Sequence, residues 1–234
     1  MSELLELQKE IKKNSDKQKA AILQRFFKTG KGQYGEGDVF LGIIVPVQRT
    51  IARKYQNIAL PDIQKLLDSK THEERLIALL ILIFQFQKAN SKARKIIFDF
   101  YLKNTKNINN WDLVDLTAPS IVGEYLLDKN RKILYKLARS KDLWKKRIAI
   151  ISTFTFIKNN QFEDTLLIAE ILLNDEHDLI QKAVGWMLRE VGKRDLSVEE
   201  EFLQKYYQKM PRTMLRYAIE KFSEKKRKYF LAKA

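Results

Sequence analysis

The chain has 234 residues and no cysteine. That excludes a disulfide framework, a zinc knuckle, a Cys-ligated iron–sulfur cluster and a thiol nucleophile. Proline (four) and glycine (eight) are also scarce, and Gly30, Gly32, Gly35 and Gly37 share one short stretch. The two histidines, His72 and His177, lie far apart in acidic helix starts, so no metal-ligand spacing can be read. Both are expected to be capping or surface residues. The longest apolar run, Leu76 to Phe84, is too short to cross a bilayer, which takes roughly 20 residues. The N-terminal MSELLELQKEIKK has the pattern of an amphipathic helix and lacks the apolar region of a signal peptide. A cytoplasmic protein is expected, with no metal, no cofactor and no membrane association.

What is abundant is positive charge. The 44 Lys and Arg residues against 29 Asp and Glu leave +15, a surplus that opposes compaction and is commonly kept for an anionic partner such as nucleic acid. With 45% apolar residues, the chain can still bury a full core. Apolar residues recur at helical spacing in segment after segment, while no segment shows a sustained two-residue alternation. Asparagine and aspartate clusters at Lys158-Asn159-Asn160 and Asn174-Asp175-Glu176 break the segments as helix ends and N-caps do.

The segments repeat. ERLIALLILIF, DLTAPSIVGEYLL, KRIAIISTFTFI, QKAVGWMLREV and LRYAIEKF align on Ala78, Ala118, Ala149, Ala183 and Ala218, at intervals of 40, 31, 34 and 35 residues. Small residues at such a period mark the close-packing point of stacked helix pairs, and helical solenoid repeats run at roughly 34 to 47 residues. The expected fold is all-α: an α-solenoid over residues 1–234 as a single domain, with a Gly-rich loop at 29–38 between an N-terminal helix and the repeats. A helix bundle is the plainer alternative, but it gives no reason for a period.

Two blocks concentrate the charge. Lys129 to Arg147 holds nine basic residues against Asp142 alone, and Lys205 to Lys233 holds ten against Glu220 and Glu224. Such a stripe suits a phosphate backbone. Gly30-Lys31-Gly32-Gln33-Tyr34-Gly35 formally fits GxGxxG, but AAILQRFF before it is helical and a second turn follows it, so the phosphate-cradle reading fails. A flexible linker is expected there. In Asn109-Asn110-Trp111-Asp112-Leu113-Val114-Asp115, Trp111 and Asp115 stand at i and i+4, one above the other on a helix. The next repeats supply Trp144-Lys145-Lys146-Arg147 and Gly185-Trp186-Met187-Leu188-Arg189. Trp144 is expected in the core, Trp111 and Trp186 nearer the surface. Two indoles and a carboxylate suit a cation carried on a polyanion, because aromatic faces attract cations and a carboxylate adds the opposite charge. An N-alkylated purine in DNA has that character.

WDLVD (Trp111 to Asp115), the Trp-x-x-Arg ending at Arg147, QKAVGWMLRE (Gln181 to Glu190) and FFKTGKGQYGEGDVFLGIIVP (Phe26 to Pro46) together resemble the AlkD family of alkylpurine DNA glycosylases. The likeness covers nearly the whole chain. It implies a solenoid of HEAT-like repeats that holds duplex DNA on its concave face and excises cationic N3- and N7-alkylpurines without metal or cofactor. By the same resemblance Asp115 is the catalytic carboxylate, Trp111 and Trp186 flank the lesion's deoxyribose, and Arg147 holds the DNA backbone beside it. An N-terminal aromatic that stacks near the lesion in some members has no assured counterpart; Phe26, Phe27 and Tyr34 are the candidates. Lys146, Lys182, Arg189, Arg212 and Arg216 are the expected DNA contacts, and double-stranded DNA carrying alkylated bases is the expected partner of a monomer acting in the cytoplasm at the nucleoid. The alternatives are a non-catalytic HEAT-repeat DNA-binding module and a protein–protein scaffold.

Overall fold

A computed structural model describes residues 2–232. It divides into two compact units, Met1–Leu113 and Val114–Ala234. Among the described residues there are helices and turns, and the only extended pairing is one isolated bridge, Val39 with Thr71. The class is all-α, as the periodicity implies.

In the first unit, α1 (Glu3–Lys13) is capped by Ser2 and buries Leu4, Leu7 and Ile11, one stripe at helical spacing. Asp16 caps α2 (Lys17–Phe26), none of whose residues is fully buried. After the Gly-rich loop, α3 (Val45–Lys54) and α4 (Leu60–Leu67) each open with proline in the first turn, where its missing N–H costs no helical bond. Both pack on α5 (His72–Lys88), with α6 (Ser91–Lys103) beyond. The run Leu76–Ile83 is buried on every face, and each Leu or Ile there contributes about 1.5–3 kcal/mol by leaving water. A helix apolar all round draws its first turn into the interior too, so His72, Glu73, Glu74 and Arg75 are buried with it.

The division between units falls inside α7 (Trp111–Ala118). Pro119, four residues after Asp115, has no N–H to offer the Asp115 carbonyl, and the chain widens into a π-helical turn at Pro119–Gly123 before one further turn, α8 (Glu124–Leu126). In the second unit, α9 (Lys132–Ala138), α11 (Glu163–Ile171) and α13 (Leu196–Tyr206) flank a row of helices, α10 (Leu143–Lys158), α12 (Asp178–Gly192) and α14 (Arg212–Ala218), in which each packs on the next. That is the order of a helical-repeat stack. The last helix is α15 (Glu224–Ala232).

The alanine register is borne out: Ala78, Ala118, Ala149, Ala183 and Ala218 sit on α5, α7, α10, α12 and α14 and all are buried. Glycine marks the tightest contacts nearby. A Cβ on Gly185 would lie 2.4 Å from the Met214 carbonyl oxygen, and one on Gly123 would lie 2.5 Å from that of Ser152. α10 ends at Lys158 as expected, and Asn160 turns the chain at φ +57°.

Two expectations change. His72 is no surface residue but the buried first residue of α5, whereas His177 does cap α12, its Nδ1 accepting from the Leu179 N–H at 3.1 Å. The stretch 29–38 is not a flexible linker. Gln24 donates to the Asp38 carbonyl and to Thr29, a Cβ on Gly35 would lie 2.5 Å from the Phe27 carbonyl oxygen, and Asp38 is buried. Buried charge and close backbone contact hold the loop down.

Candidate functional site

In the second unit, Arg147 and Asp115 form a two-pronged pair. Arg147 Nε donates to Asp115 Oδ1 at 2.8 Å and Nη2 to Oδ2 at 2.7 Å, while Nη1 donates to the Leu179 carbonyl of α12. A planar guanidinium matches a carboxylate edge to edge, so the pair fixes the carboxylate plane as well as its place. The Arg147 side chain is 6% exposed and that of Asp115 15%, so the pair is mostly buried. Arg147, to which the resemblance gives the DNA backbone as partner, has its guanidinium on Asp115 and on the Leu179 carbonyl of α12.

Trp186 is half-buried on α12, tilted against Phe154 with ring centres 6.0 Å apart, and its Nε1 donates to Glu190 at 3.0 Å. Trp144 is buried, as expected of a core residue. Of the expected DNA contacts, Lys146 pairs with Asp175, Lys182 with Asp178, and Arg189 with Glu220. Arg212 is exposed and donates to the Leu231 carbonyl, and Arg216 is exposed. The basic blocks are therefore not uniformly a solvated face. Arg131 is drawn inward by Asp164 and lies over the Phe156 ring at 3.7 Å, whereas Lys132, Lys136 and Arg139 on and beside α9 and Lys225 to Lys228 on α15 stay exposed. Lys233 lies outside the described residues.

Trp111 belongs to the first unit and stands at the end of an aromatic column. Its ring stacks on Phe27 at 5.1 Å, Phe27 on Phe40 at 4.9 Å, and Phe40 on the His72 imidazole at 4.4 Å. Phe26 meets Trp111 edge-on at 6.0 Å, and Tyr34 Oη accepts from Trp111 Nε1 at 3.3 Å. All three aromatic candidates of the N-terminal region thus surround this indole.

Beneath the column lies a charge cluster that sequence reasoning missed. His72 Nδ1 is 3.0 Å from Asp38 Oδ2, and Nε2 is 2.8 Å from Asp112 Oδ2; Arg75 Nη2 is 2.6 Å from Asp38 Oδ2. The carboxylate of Glu73 accepts the N–H groups of Leu41, Gly42 and Ile43. Burial alone would drive the His72 proton off, but the carboxylates of Asp112 and Asp38 outweigh it and hold the imidazolium up to about 9. Burial likewise opposes ionisation of Asp38, yet the hydrogen bonds from His72 and Arg75 prevail and keep its carboxyl below the usual range. One signal was available: four polar residues, His72-Glu73-Glu74-Arg75, directly precede an apolar run too uniform to leave its own first turn in water.

Among the described residues, no group of three or more His, Asp or Glu side chains is arranged to hold a metal ion, and no helix is long and apolar enough to cross a membrane.

A family model described as DNA alkylation repair enzyme matches residues 7–222. A solved structure described as "Predicted DNA alkylation repair enzyme from Enterococcus faecalis" is similar in fold, with a TM-score of 0.69 at 15% identity over 90% of this chain and 98% of that one. No curated protein matches the chain.

Proposed function

The chain belongs to the DNA alkylation repair enzyme family, and from that membership we propose that it is a DNA N-glycosylase that hydrolyses the bond to cationic N3- and N7-alkylpurines such as 3-methyladenine and 7-methylguanine in duplex DNA. The observation that carries the reading is the Asp115–Arg147 pair: a carboxylate held on both oxygens by one guanidinium and mostly buried. Loss of the base leaves an oxocarbenium-like sugar. A fixed anion beside C1′ stabilises that charge and orients the attacking water. The leaving base is already cationic and takes the bonding electrons as it departs, so neither a general acid nor a metal or cofactor is called for. Arg147 acts through Asp115 and is a positioning residue.

Trp111 and Trp186 carry the roles the resemblance gives them, flanking the deoxyribose. Lys146, Lys182, Arg189, Arg212 and Arg216 supply phosphate contacts. Lys146, Lys182 and Arg189 already have carboxylate partners, so each exchanges one anion for another on binding; affinity falls with salt through the counterions released from the phosphates. The protein works as a monomer on DNA in the cytoplasm, with HEAT-like repeats as its frame.

The test is release of 7-methylguanine or 3-methyladenine from methylated duplex DNA by the wild type and by Asp115→Asn. Release by the wild type, with loss in the variant while duplex binding persists, supports the reading. Duplex binding by the wild type with no base released over many hours overturns it in favour of a non-catalytic DNA-binding module.

A further inference from the structure

α12 carries the motif Gln181 to Glu190, from which the proposed function draws Lys182, Trp186 and Arg189 and leaves Glu190 without a part. Glu190 stands four residues after Trp186, one turn along the same face of the helix. Its Oε1 accepts from the indole Nε1 at 3.0 Å and from Lys193 Nζ at 2.6 Å, and Arg189 Nε lies 3.8 Å from the same oxygen. Arg189 is tied in turn to Glu220, just beyond α14.

We propose that Glu190 is a positioning residue for base release: its carboxylate holds the Trp186 indole in one of two ring orientations, and Lys193 and Arg189 hold the carboxylate. The outer torsion of a tryptophan is broad and roughly two-fold, so a ring can turn over in its place. Phe154 of α10 meets Trp186 tilted at 41° with ring centres 6.0 Å apart, a contact that either orientation satisfies. The N–H has direction. Its bond to a carboxylate is charge-assisted, roughly twice as strong as one between neutral groups, and it selects the orientation that turns Nε1 along α12 toward Glu190.

The burial of Glu190 separates this arrangement from an ordinary surface ion pair. A lysine and a glutamate three residues apart on an exposed helix gain little from each other. The Glu190 side chain, however, is 13% exposed and that of Arg189 16%, and a carboxylate so far out of water is costly unless donors meet it. The indole N–H is one of those donors, so each group satisfies the other. The first unit repeats the device with a different acceptor, since Trp111 Nε1 donates to the Tyr34 hydroxyl. Both indoles assigned to the deoxyribose thus spend their N–H on a protein oxygen and keep their ring faces for the ligand.

That a turned Trp186 slows base release rests on the glycosylase reading; that Glu190 orients Trp186 does not. Two variants divide orientation from charge. Glu190→Gln keeps a carbonyl oxygen for the indole N–H and loses the charge, whereas Glu190→Leu loses both. Each removes one negative charge beside the phosphate contact Arg189, so each should bind duplex DNA more tightly, and to the same extent. Only Glu190→Leu should release the ring.

The test uses the full-length protein. Its three tryptophans give three indole signals in a two-dimensional proton–nitrogen spectrum, and Trp186→Phe identifies one of them by its loss. In Glu190→Leu the Trp186 signal should move upfield and its proton should exchange faster with water, while in Glu190→Gln it should stay near its wild-type place. Single-turnover release of 7-methylguanine at saturating DNA should fall by about tenfold or more in Glu190→Leu, as for one lost hydrogen bond to a charged group. Glu190→Gln should restore most of that rate. A Trp186 signal unmoved in Glu190→Leu, or an equal loss of release in the two variants, overturns the proposal. If the wild type releases no base, the glycosylase reading alone fails, and the indole signals still decide whether Glu190 holds Trp186. Should Glu190→Leu not fold, seen as collapse of the remaining indole signals to one position, Glu190→Ala is measured in its place.

Discussion

Asp112 and Asp115 stand three residues apart in one motif, yet the two units hold them by different chemistry. In the first unit Asp112 is bound to an imidazolium that also bridges Asp38. In the second unit Asp115 is bound to a guanidinium that meets both its oxygens. An imidazolium gives up its proton within the range where proteins are studied, and a guanidinium does not. The first unit's buried charge is therefore conditional on pH, whereas the carboxylate assigned to chemistry has a permanent partner. The contrast suits the proposed function: Asp112 anchors the start of α7 beside Trp111, and a catalytic Asp115 would keep one orientation across the pH range.

The largest effect should come from breaking the conditional cluster. His72→Gln removes the cation between two buried carboxylates, and removal of one partner of a buried ionic group costs about 3–5 kcal/mol. Denaturant unfolding at pH 7 should show a loss of that size; a loss under 1 kcal/mol would mean that the cluster holds nothing together. Next comes the permanent pair. Arg147→Lys keeps the charge and loses the fork, so Asp115 is no longer held on two oxygens. Single-turnover excision should fall by about 10²-fold, the effect of a misplacement near 1 Å, while duplex affinity changes far less. Equal losses in both would place Arg147 among the DNA contacts instead.

A third, smaller effect follows from the imidazolium itself. Its proton is held to about 9 in the folded protein against 6.5 in an unfolded chain. The stability it contributes is full below pH 6.5 and is lost as the pH rises through about 9. Wild-type unfolding free energy should decline over that window, and the part of the decline above pH 8 should be absent from His72→Gln.

The sequence made the helices and their register legible because both are written in side-chain size and periodicity: Ala149 and Ala183 had to be small wherever neighbouring helices crossed, and Asn160 had to turn the chain. Trp144 was legible as core for the same reason. The partners of Arg147 and the fate of His72 were not. An arginine four residues beyond Leu143 could equally meet a phosphate or a carboxylate, and only the packing of α10 beside α7 and α12 decides. His72 looked like a helix cap because its own neighbours are acidic; its true partners, Asp38 and Asp112, are 34 and 40 residues away. The pinned loop at 29–38 was missed because its tethers, Gln24 and the Phe27 carbonyl, are ordinary groups whose reach is set by the fold.

Glu199 is the place where the contrast between the units could fail, and it yields the smallest prediction. It lies in the second unit, 1% exposed, with Oε1 unpartnered. Burial, reinforced by the charge of Glu200, pushes its carboxyl up to about 8, even though Arg189 pulls the other way. Its ordinary value is 4.5, so the folded protein keeps a proton that the unfolded chain releases. Stability from this group is full below pH 4.5 and is lost as the pH rises through about 8. Glu199→Gln, which cannot ionise, should therefore be more stable than the wild type at pH 9 by about 1 kcal/mol or more, on the scale of an unsatisfied buried group. Near pH 4.5 the two should unfold alike. The windows of Glu199 and His72 overlap between 6.5 and 8, so the wild-type curve alone assigns neither. In Glu199→Gln the decline below pH 6.5 should vanish while the decline toward pH 9 persists; in His72→Gln the pattern should reverse. If Glu199→Gln instead removes the whole decline, the imidazolium contributes nothing across that range, and the second unit, not the first, carries the pH-conditional charge.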